Sequence, residues 1–453
     1  MAKIAVIVTA HNYGKFLRKC LNSVLNQTAK DYEIVIVDDA STDETPQIIE
    51  EFKEKFGSKL KTVRTNGVGL AAASNAGIEL SDSDYIIRLD ADDWFDENIL
   101  LVESHYLDTH QNIEMVYSDY YTADAAGNII EHHRYMRAND ELKLLDRSPL
   151  ASGAMYKKAC WAELSGYNSE LHHQEDFDYW IRFVNRFNVA CINLPLYYYR
   201  RHGITMSSNI KAKLAARRKV KADFVENKLK DILACQKIVA IIPTRGSDGL
   251  ALKDLNGKPA ISYTIDAAKK AGIFEKIIVS TDNKEIAERC KILGAEVPFI
   301  RPAELAGKIA IEKVLTHALD YLKRVENYEP DIIILLYATT PFKTSEHIKE
   351  AAHTMLIFNT DTVLSVYEHN KFLWKPGENG LLPLFEKRLL KHERESLYTE
   401  NGAIYAFKPA VLDYGSLIGK TVSHILMTEE ESIRIDNDFG FWLAEQVLKN
   451  NNL

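Results

Sequence analysis

Two groups of acids and one cationic loop along this chain have the residue types and spacing to do chemistry. Asp38, Asp39 and Asp43 follow the apolar run Val35-Ile36-Val37. Carboxylates at such a strand end suit the hydroxyls of a ribose or the edge of a base, because ligands of open α/β sheets bind outside the carboxyl ends of the strands. Asp90, Asp92 and Asp93 follow a second apolar run, 85–89. Alternate carboxylates there offer hard oxygen ligands for Mg²⁺ or Mn²⁺, an ion that would neutralise a diphosphate. The same acids would also serve simply to cap the next helix. Much further along, Pro243-Thr244-Arg245-Gly246 leads through a short loop to Lys253. Exposed backbone amides flanked by Arg and Lys make a cradle for a triphosphate, and a glycine lets a phosphate approach the main chain.

These groups need strands and helices to hold them, and the pattern supplies both twice. Strands are expected at 4–8, 33–37 and 85–89, alternating with helices at 15–27 and 45–56. That switching of hydrophobic period is the signature of βαβ units and of a mainly parallel sheet. The scheme restarts at 238–242, with further strands at 276–280 and 331–336 and helices at 261–271 and 284–293. The division expected is a first domain over 1–210, a helical connector over 211–235 and a second domain over 236–453. The connector carries good helix formers and no Gly or Pro from 211 to 233. Lys211, Lys213, Arg217, Arg218, Lys219 and Lys221 make it basic. Such a run serves either as a solvated helix face, the commoner case, or as a peripheral contact with an anionic membrane.

Composition narrows the class further. An apolar share of 46% with 26% charged residues is ordinary globular material, which excludes disordered, collagenous and disulfide-dense classes. The net charge of -8 gives no general attraction to nucleic acid. Five scattered cysteines without a C-x-x-C pair imply reduced thiols and a cytoplasmic setting. The apolar run at 4–10 reads as a strand rather than a secretion signal, and no run reaches the ~18 apolar residues of a membrane span.

Taken in order, His11-Asn12-Tyr13, Asp38-Asp39 with Asp43, Asn66 to Gly69 leading into Ser74-Asn75-Ala76-Gly77, Asp90 to Asp93, Glu175-Asp176 and Tyr199 to His202 resemble family 2 glycosyltransferases over about residues 1–210. The resemblance implies a GT-A fold, a nucleoside-diphosphate sugar donor such as a UDP-sugar, a glycan acceptor, a divalent metal and inversion at the anomeric carbon. By the same resemblance Asp38, Asp39 and Asp43 face the nucleoside, and Asp90 and Asp92 hold the metal and diphosphate. His202 meets the leaving diphosphate or the metal, and Asp176 with Glu175 beside it forms the catalytic pair, Asp176 as base. Ser74 departs from the family's usual Arg and removes a cation. Tyr117, Tyr120, Tyr121 and Trp161 would line an acceptor sugar or pack in the core.

The second half, with Arg245 to Lys253, Leu255-Asn256-Gly257-Lys258-Pro259, Val279 to Asp282, Gly294 to Pro302 and Glu400 to Tyr405, resembles acylneuraminate cytidylyltransferases over about 236–453. This implies CTP, an acidic nine-carbon sugar, Mg²⁺ and a homodimer. Arg245 and Lys253 would hold the triphosphate in catalysis, Arg394 and Asn401 the sugar, and Asp436 the metal. Here Asp248 stands at a family Lys, Arg434 at the first acid of the usual Asp-x-Asp, and the segment from Tyr337 to Lys343 replaces a Gln- and Arg-containing one. The fold expected is α/β, with two tandem Rossmann-like nucleotide-sugar domains, a GT-A fold followed by a nucleotidyltransferase fold. The function expected is bifunctional, sugar transfer plus activation of a sialic-type sugar in surface-glycan synthesis. The alternative is a second domain that only binds or oligomerises, or that uses another nucleotide and sugar.

Overall fold

In a computed structural model the protein is described over residues 2–134, 152–202, 210–247, 249–307, 309–369, 371–378, 380–385 and 397–450. Two compact units divide between Val220 and Lys221.

The first unit contains β1 (Ile4–Ala10), α1 (Gly14–Leu25), β2 (Tyr32–Asp39), α2 (Thr45–Phe56), β3 (Leu60–Thr65), α3 (Leu70–Leu80), β4 (Tyr85–Asp90) and β5 (Trp94–Phe95). It continues with α4 (Ile99–Thr109), β6 (Met115–Ala123), β7 (Ile129–His133), β8 (Ala154–Lys157), α5 (Lys158–Glu163), α6 (Glu175–Val184) and β9 (Val189–Arg200). The sheet order is β3-β2-β1-β4-β8-β6-β9-β5, with β7 on β6. The first four strands are parallel. Beyond them the sheet is mixed, since β8 runs antiparallel to β4 and β6 while β9 lies parallel to β6. The expectation of a mainly parallel sheet thus describes one half only, because the period pattern does not carry strand direction beyond a βαβ unit.

Every residue of β1 and β2 is buried, as strands covered on both faces are. Alternation along β1 sends Val6 and Val8 to the core under α1, α2 and α4, and Ala5 and Ile7 to the core under α3 and α6. Register sets the strand ends level, with Ala10 opposite Asp38 and Thr9 opposite Asp90. The acidic strand ends therefore share one edge. Gly77 lets α3 lie close on the sheet, since a Cβ there would stand 2.8 Å from methyls of both Ile7 and Val37.

α7 (Ile210–Phe224) leads through a π-helical turn at Val225–Leu229 into α8 (Lys230–Ala234). Its basic residues turn inward at three places. Lys213 lines the first unit's cavity, the Arg217 guanidinium sits 4.1 Å over the Phe177 ring, and buried Lys221 pairs with Glu350 at 3.2 Å within the second unit. The basic run is thus not one continuous solvated face.

The second unit contains β10 (Ile238–Thr244), β11 (Asp254–Leu255), β12 (Lys258–Pro259), α9 (Ala260–Ala271), β13 (Lys276–Thr281), α10 (Lys284–Ile292), α11 (Ile311–Glu326), β14 (Ile332–Leu336) and α12 (Ser345–Phe358). There follow β15 (Thr362–His369), β16 (Trp374–Gly377), β17 (Gly380–Pro383), β18 (Leu397–Phe407), β19 (Val422–Leu426) and α13 (Asp438–Asn450). Its main sheet has the order β13-β10-β14-β18-β15-β19. β10 is parallel to both neighbours, and β18 is antiparallel to β14 and β15. Ile238, Ala240 and Ile242 face one core, Val239 and Ile241 the other. Among the described residues no helix is long and apolar enough to cross a membrane.

Candidate functional site

The level ends of β1, β2 and β4 open into a cavity of about 910 Å³ in the first unit. That volume lies in the upper part of the ~300–1,000 Å³ range of small-molecule sites, enough for a nucleotide with a sugar. Asp90, Asp92, Glu175, Asp176 and His202 all reach it, although they come from β4, the start of α6 and the segment after β9. His202 Nε2 lies 3.0 Å from Asp92 Oδ2, and its ring is held against Phe16, with centroids 5.0 Å apart.

The acids crowd one another. Burial, followed by the charge of Asp90, pushes the Asp92 carboxyl up against the pull of His202. Burial pushes the fully enclosed Asp93 further up, with Asp92 and Asp90 adding to it. Asp93 is a structural acid: it accepts from the Arg200 N–H at 2.7 Å and from the Tyr197 hydroxyl. Burial also pushes Glu175 up to about 7, Asp176 adds to this, and Arg88 opposes it. Gln174, just before this pair, adopts a left-handed backbone at φ 64°, a conformation non-glycine residues adopt at some cost. It turns the chain so that the first turn of α6 faces the cavity.

A divalent ion fits this setting. Asp90 and Asp92 offer hard oxygens, and a dication between them would relieve their mutual repulsion. Among the described residues no three His, Cys, Asp or Glu side chains form a ready-made metal cluster. Such an ion would complete its shell with diphosphate oxygens and water, as Mg²⁺ commonly does.

The first acidic group separates into different tasks. Asp39 reaches the cavity but also accepts from Thr65 Oγ1 at 2.6 Å and from the Val68 and Gly69 N–H groups at 2.8 Å each. Burial acts to raise its carboxyl, and these donors outweigh burial and hold it low. Asp38 is turned away, accepting from the Ser41 N–H at 3.0 Å and pairing with Arg64. Asp43 caps two helix starts, through the Gly14 N–H at 2.9 Å and the Thr45 N–H at 3.0 Å. Neither Asp38 nor Asp43 lines the cavity; each is oriented by one donor close along the chain, Ser41 or Thr45, and one from a distant segment, Arg64 or Gly14.

Arg88, to which the sequence alone assigned no role, and Lys213, which it read only as part of the basic connector, are cavity residues. Arg88 is buried among Asp90, Glu175, Asp176 and Tyr167; burial opposes its charge, and those neighbours outweigh it and raise its pKa. Its Nη2 lies 3.2 Å from Asp90 Oδ1. A lone Arg inside the apolar run of β4 was the available signal. Lys213 brings a cation to the cavity, whereas Ser74 is buried and donates to Leu70 O at 2.7 Å. Asn75 fastens the 161–167 segment by accepting from Trp161 Nε1 at 3.1 Å and the Tyr167 N–H at 2.9 Å. Tyr117 and Tyr120 are core residues, and none of the four aromatics proposed for an acceptor lines the cavity.

The second unit has a smaller cavity of about 260 Å³ at the ends of β10 and β14, lined by Arg245, Arg301, Tyr337 and Ile435 among others. Arg301 is buried and donates to Thr244 O at 3.1 Å.

Family models match the two halves of the chain separately. The model described as glycosyl transferase family 2 matches residues 5–157, and the cytidylyltransferase model matches 239–438. The chain is 31% identical over 232 residues to the CMP-N,N'-diacetyllegionaminic acid synthase of Legionella pneumophila, covering 48% of this chain and 97% of that protein. The chain belongs to the cytidylyltransferase family, behind a family 2 glycosyltransferase domain. It is also 34% identical over 228 residues to the N-acylneuraminate cytidylyltransferase of Escherichia coli O18:K1:H7, covering 48% of this chain and 53% of that protein. It is 30% identical over 186 residues to glycosyltransferase GlyA of Streptococcus pneumoniae serotype 4, covering 39% of this chain and 26% of that protein. The chain thus spans about half the length of the first of these two relatives and about a quarter of the second.

Within the cytidylyltransferase domain the structure gathers few of the expected residues. Arg245 lines the cavity. Lys253 does not; its Nζ lies 3.8 Å from the centre of the Phe441 ring and 3.8 Å from Asp438. Asn401 is buried with its amide fully engaged: it donates to Ser432 Oγ at 2.9 Å and Met427 Sδ at 3.2 Å, and accepts from Ser365 Oγ at 2.6 Å and the Ala403 N–H at 2.9 Å. It has no hydrogen-bonding capacity left for a sugar. Asp436 is outside the lining and accepts from Arg434 Nε at 2.9 Å. Arg394 and Asp248 lie outside the described residues. Lys343 is not a sugar contact, because it is buried and donates to Thr264 Oγ1 at 2.9 Å and Tyr337 O at 2.7 Å.

Proposed function

We propose that the chain is a bifunctional enzyme of surface-glycan synthesis, acting in a reducing, cytoplasmic setting. Its glycosyltransferase domain transfers a sugar with inversion from a UDP-sugar to a glycan acceptor. The observation that carries this reading is the convergence of Asp90, Asp92, Glu175 and Asp176 on one cavity at the carboxyl edge of the sheet. Asp90 and Asp92 would hold Mg²⁺ or Mn²⁺, which supplies charge neutralisation at the diphosphate. Asp176 removes the proton of the acceptor hydroxyl, a task general bases perform with about 10²–10⁴-fold effect. Arg88 holds Asp90 and the catalytic pair in one field, Lys213 faces the diphosphate, and His202 orients Asp92.

The test is sugar transfer by Asp90→Ala and Asp176→Asn, with the fold followed by circular dichroism. Each is expected to lose about 10²-fold or more while staying folded; full transfer by either would refute its assigned role.

The cytidylyltransferase domain would join CTP to an acidic nine-carbon sugar with loss of pyrophosphate, Arg245 facing the triphosphate. The relative from Legionella is named for a CMP-sugar synthase, which supports this chemistry. A second reading, a binding module without turnover, is favoured by the Arg434–Asp436 pair. Pyrophosphate release from CTP with a panel of nonulosonic acids separates the two: release at enzymatic rates removes the second reading, and its absence throughout removes the first. A homodimer is supported by the hairpin β16–β17, where Trp374, Leu381 and Leu382 stand 45–68% exposed, more apolar surface than a turn needs.

A further inference from the structure

A divalent ion held by the cytidylyltransferase domain needs hard oxygen ligands facing its nucleotide cavity. The residues present do not meet that need. Asp436, the carboxylate assigned to metal by family resemblance, is turned to Arg434 at 2.9 Å and to Asn437 Nδ2 at 3.2 Å. Arg434 is seated rather than free: it reaches Asn401 O at 3.5 Å, and a Cβ on Gly402 would meet its Nη1 at 2.5 Å. Among the described residues the cavity is lined by two guanidiniums, Arg245 and Arg301, and by no carboxylate. Arg301 points two N–H groups at Thr244 O and Ser280 O, has Asp282 3.8 Å away, and keeps a buried Nε without a partner. Among the described residues, fixed cations rather than acids thus line the space where a polyphosphate would lie.

The same pairing fixes the sign of the field. Asp436 is held on Arg434 outside the cavity's lining, so a dication in that cavity gains no oxygen from it. Arg434 itself would repel a dication placed beside Asp436. An anionic polyphosphate meets the opposite field, since like charges close together gain most from an intervening anion.

We propose that the second domain binds the polyphosphate of its nucleotide through Arg245 and Arg301 without a protein-held divalent ion, Arg434 having taken the place of a metal ligand. The inference rests on the reading of this domain as a nucleotide site, and one experiment tests the two separately. CTP binding to the full chain is measured calorimetrically in EDTA and in Mg²⁺, with Arg245→Ala as the control that localises it. The expected result is an affinity equal within about twofold in the two conditions and lost in Arg245→Ala. Binding that is about tenfold or more tighter in Mg²⁺, and still lost in Arg245→Ala, overturns the metal-free site while leaving the nucleotide site standing. No binding in either buffer, or binding untouched by Arg245→Ala, overturns both.

Discussion

At the scale of the residue, Glu175 is the most informative titrating group, lifted from 4.5 to about 7 by burial first and by Asp176 next, against the pull of Arg88. Its folded pKa lies above its unfolded one, so the native state holds an extra proton between those values. The stability it contributes is complete below about pH 4.5 and is lost as pH rises through about 7. Glu175→Gln is expected to flatten this part of the stability curve, measured by chemical denaturation across that window. Sugar transfer should show an acid limb near pH 7 in kcat/KM, and Arg88→Met should move it to higher pH by withdrawing the opposing cation, whereas Arg88→Lys should hold it nearer the parent. A purely structural loss would lower rates without moving the limb.

At the scale of the element, two positions show how packing and buried donors constrain the strands and helices beside each cavity. Gly77 is required where α3 meets β1 and β2, and Gly77→Ala is expected to destabilise the first domain by about 1–3 kcal/mol through overpacking, read from the denaturation midpoint. Lys343 holds the loop after β14 with its ammonium on Tyr337 O, Thr340 O and Thr264 Oγ1, and burial pushes its pKa down to about 7. With the folded value below the unfolded 10.5, the unfolded chain binds more protons between the two, so stability rises with pH across that window. Lys343→Met is expected to remove this rise and to cost about 1–3 kcal/mol by leaving carbonyls unpaired. A pH dependence unchanged in Lys343→Met would show that the lysine is not the group responsible. Although α3 lies under none of the expected helices, sequence pattern marks α1, α2, β4 and β14, because apolar period is local. It could not foresee the mixed half of the first sheet, where β8 and β9 take their directions from partners far along the chain.

At the scale of the whole molecule, the two sites are expected to fail separately. Asp176→Asn should abolish sugar transfer and leave CTP binding unchanged, and Arg245→Ala should do the reverse; loss of both functions in either variant would contradict independent sites. Light scattering of the full chain at micromolar concentration should report a dimer, and Leu381→Asp with Leu382→Asp should return it to monomer. A parent chain that is already monomeric would remove the dimer.

What the sequence by itself determined is what depends on neighbours along the chain. The two α/β starts at Ile4 and Ile238, the acidic strand end at Asp90 and the loop at Arg245 follow from hydrophobic period and residue type, and the resemblances assign a family to each half. Only the tertiary structure decided where each polar side chain points. Asp39 faces the first cavity while Asp38 and Asp43 do not: beside the local donors Ser41 and Thr45, the fold brings Arg64 to Asp38 and the Gly14 N–H to Asp43 from remote segments. Arg88 and Lys213 join the acids only once β4 and α7 are placed around one cavity. Asn401 is engaged by Ser365, Met427 and Ser432 from remote parts of the chain, because a hydrogen bond is satisfied by whichever partner the fold brings within about 3 Å, whereas Asp436 is held by its chain neighbours Arg434 and Asn437.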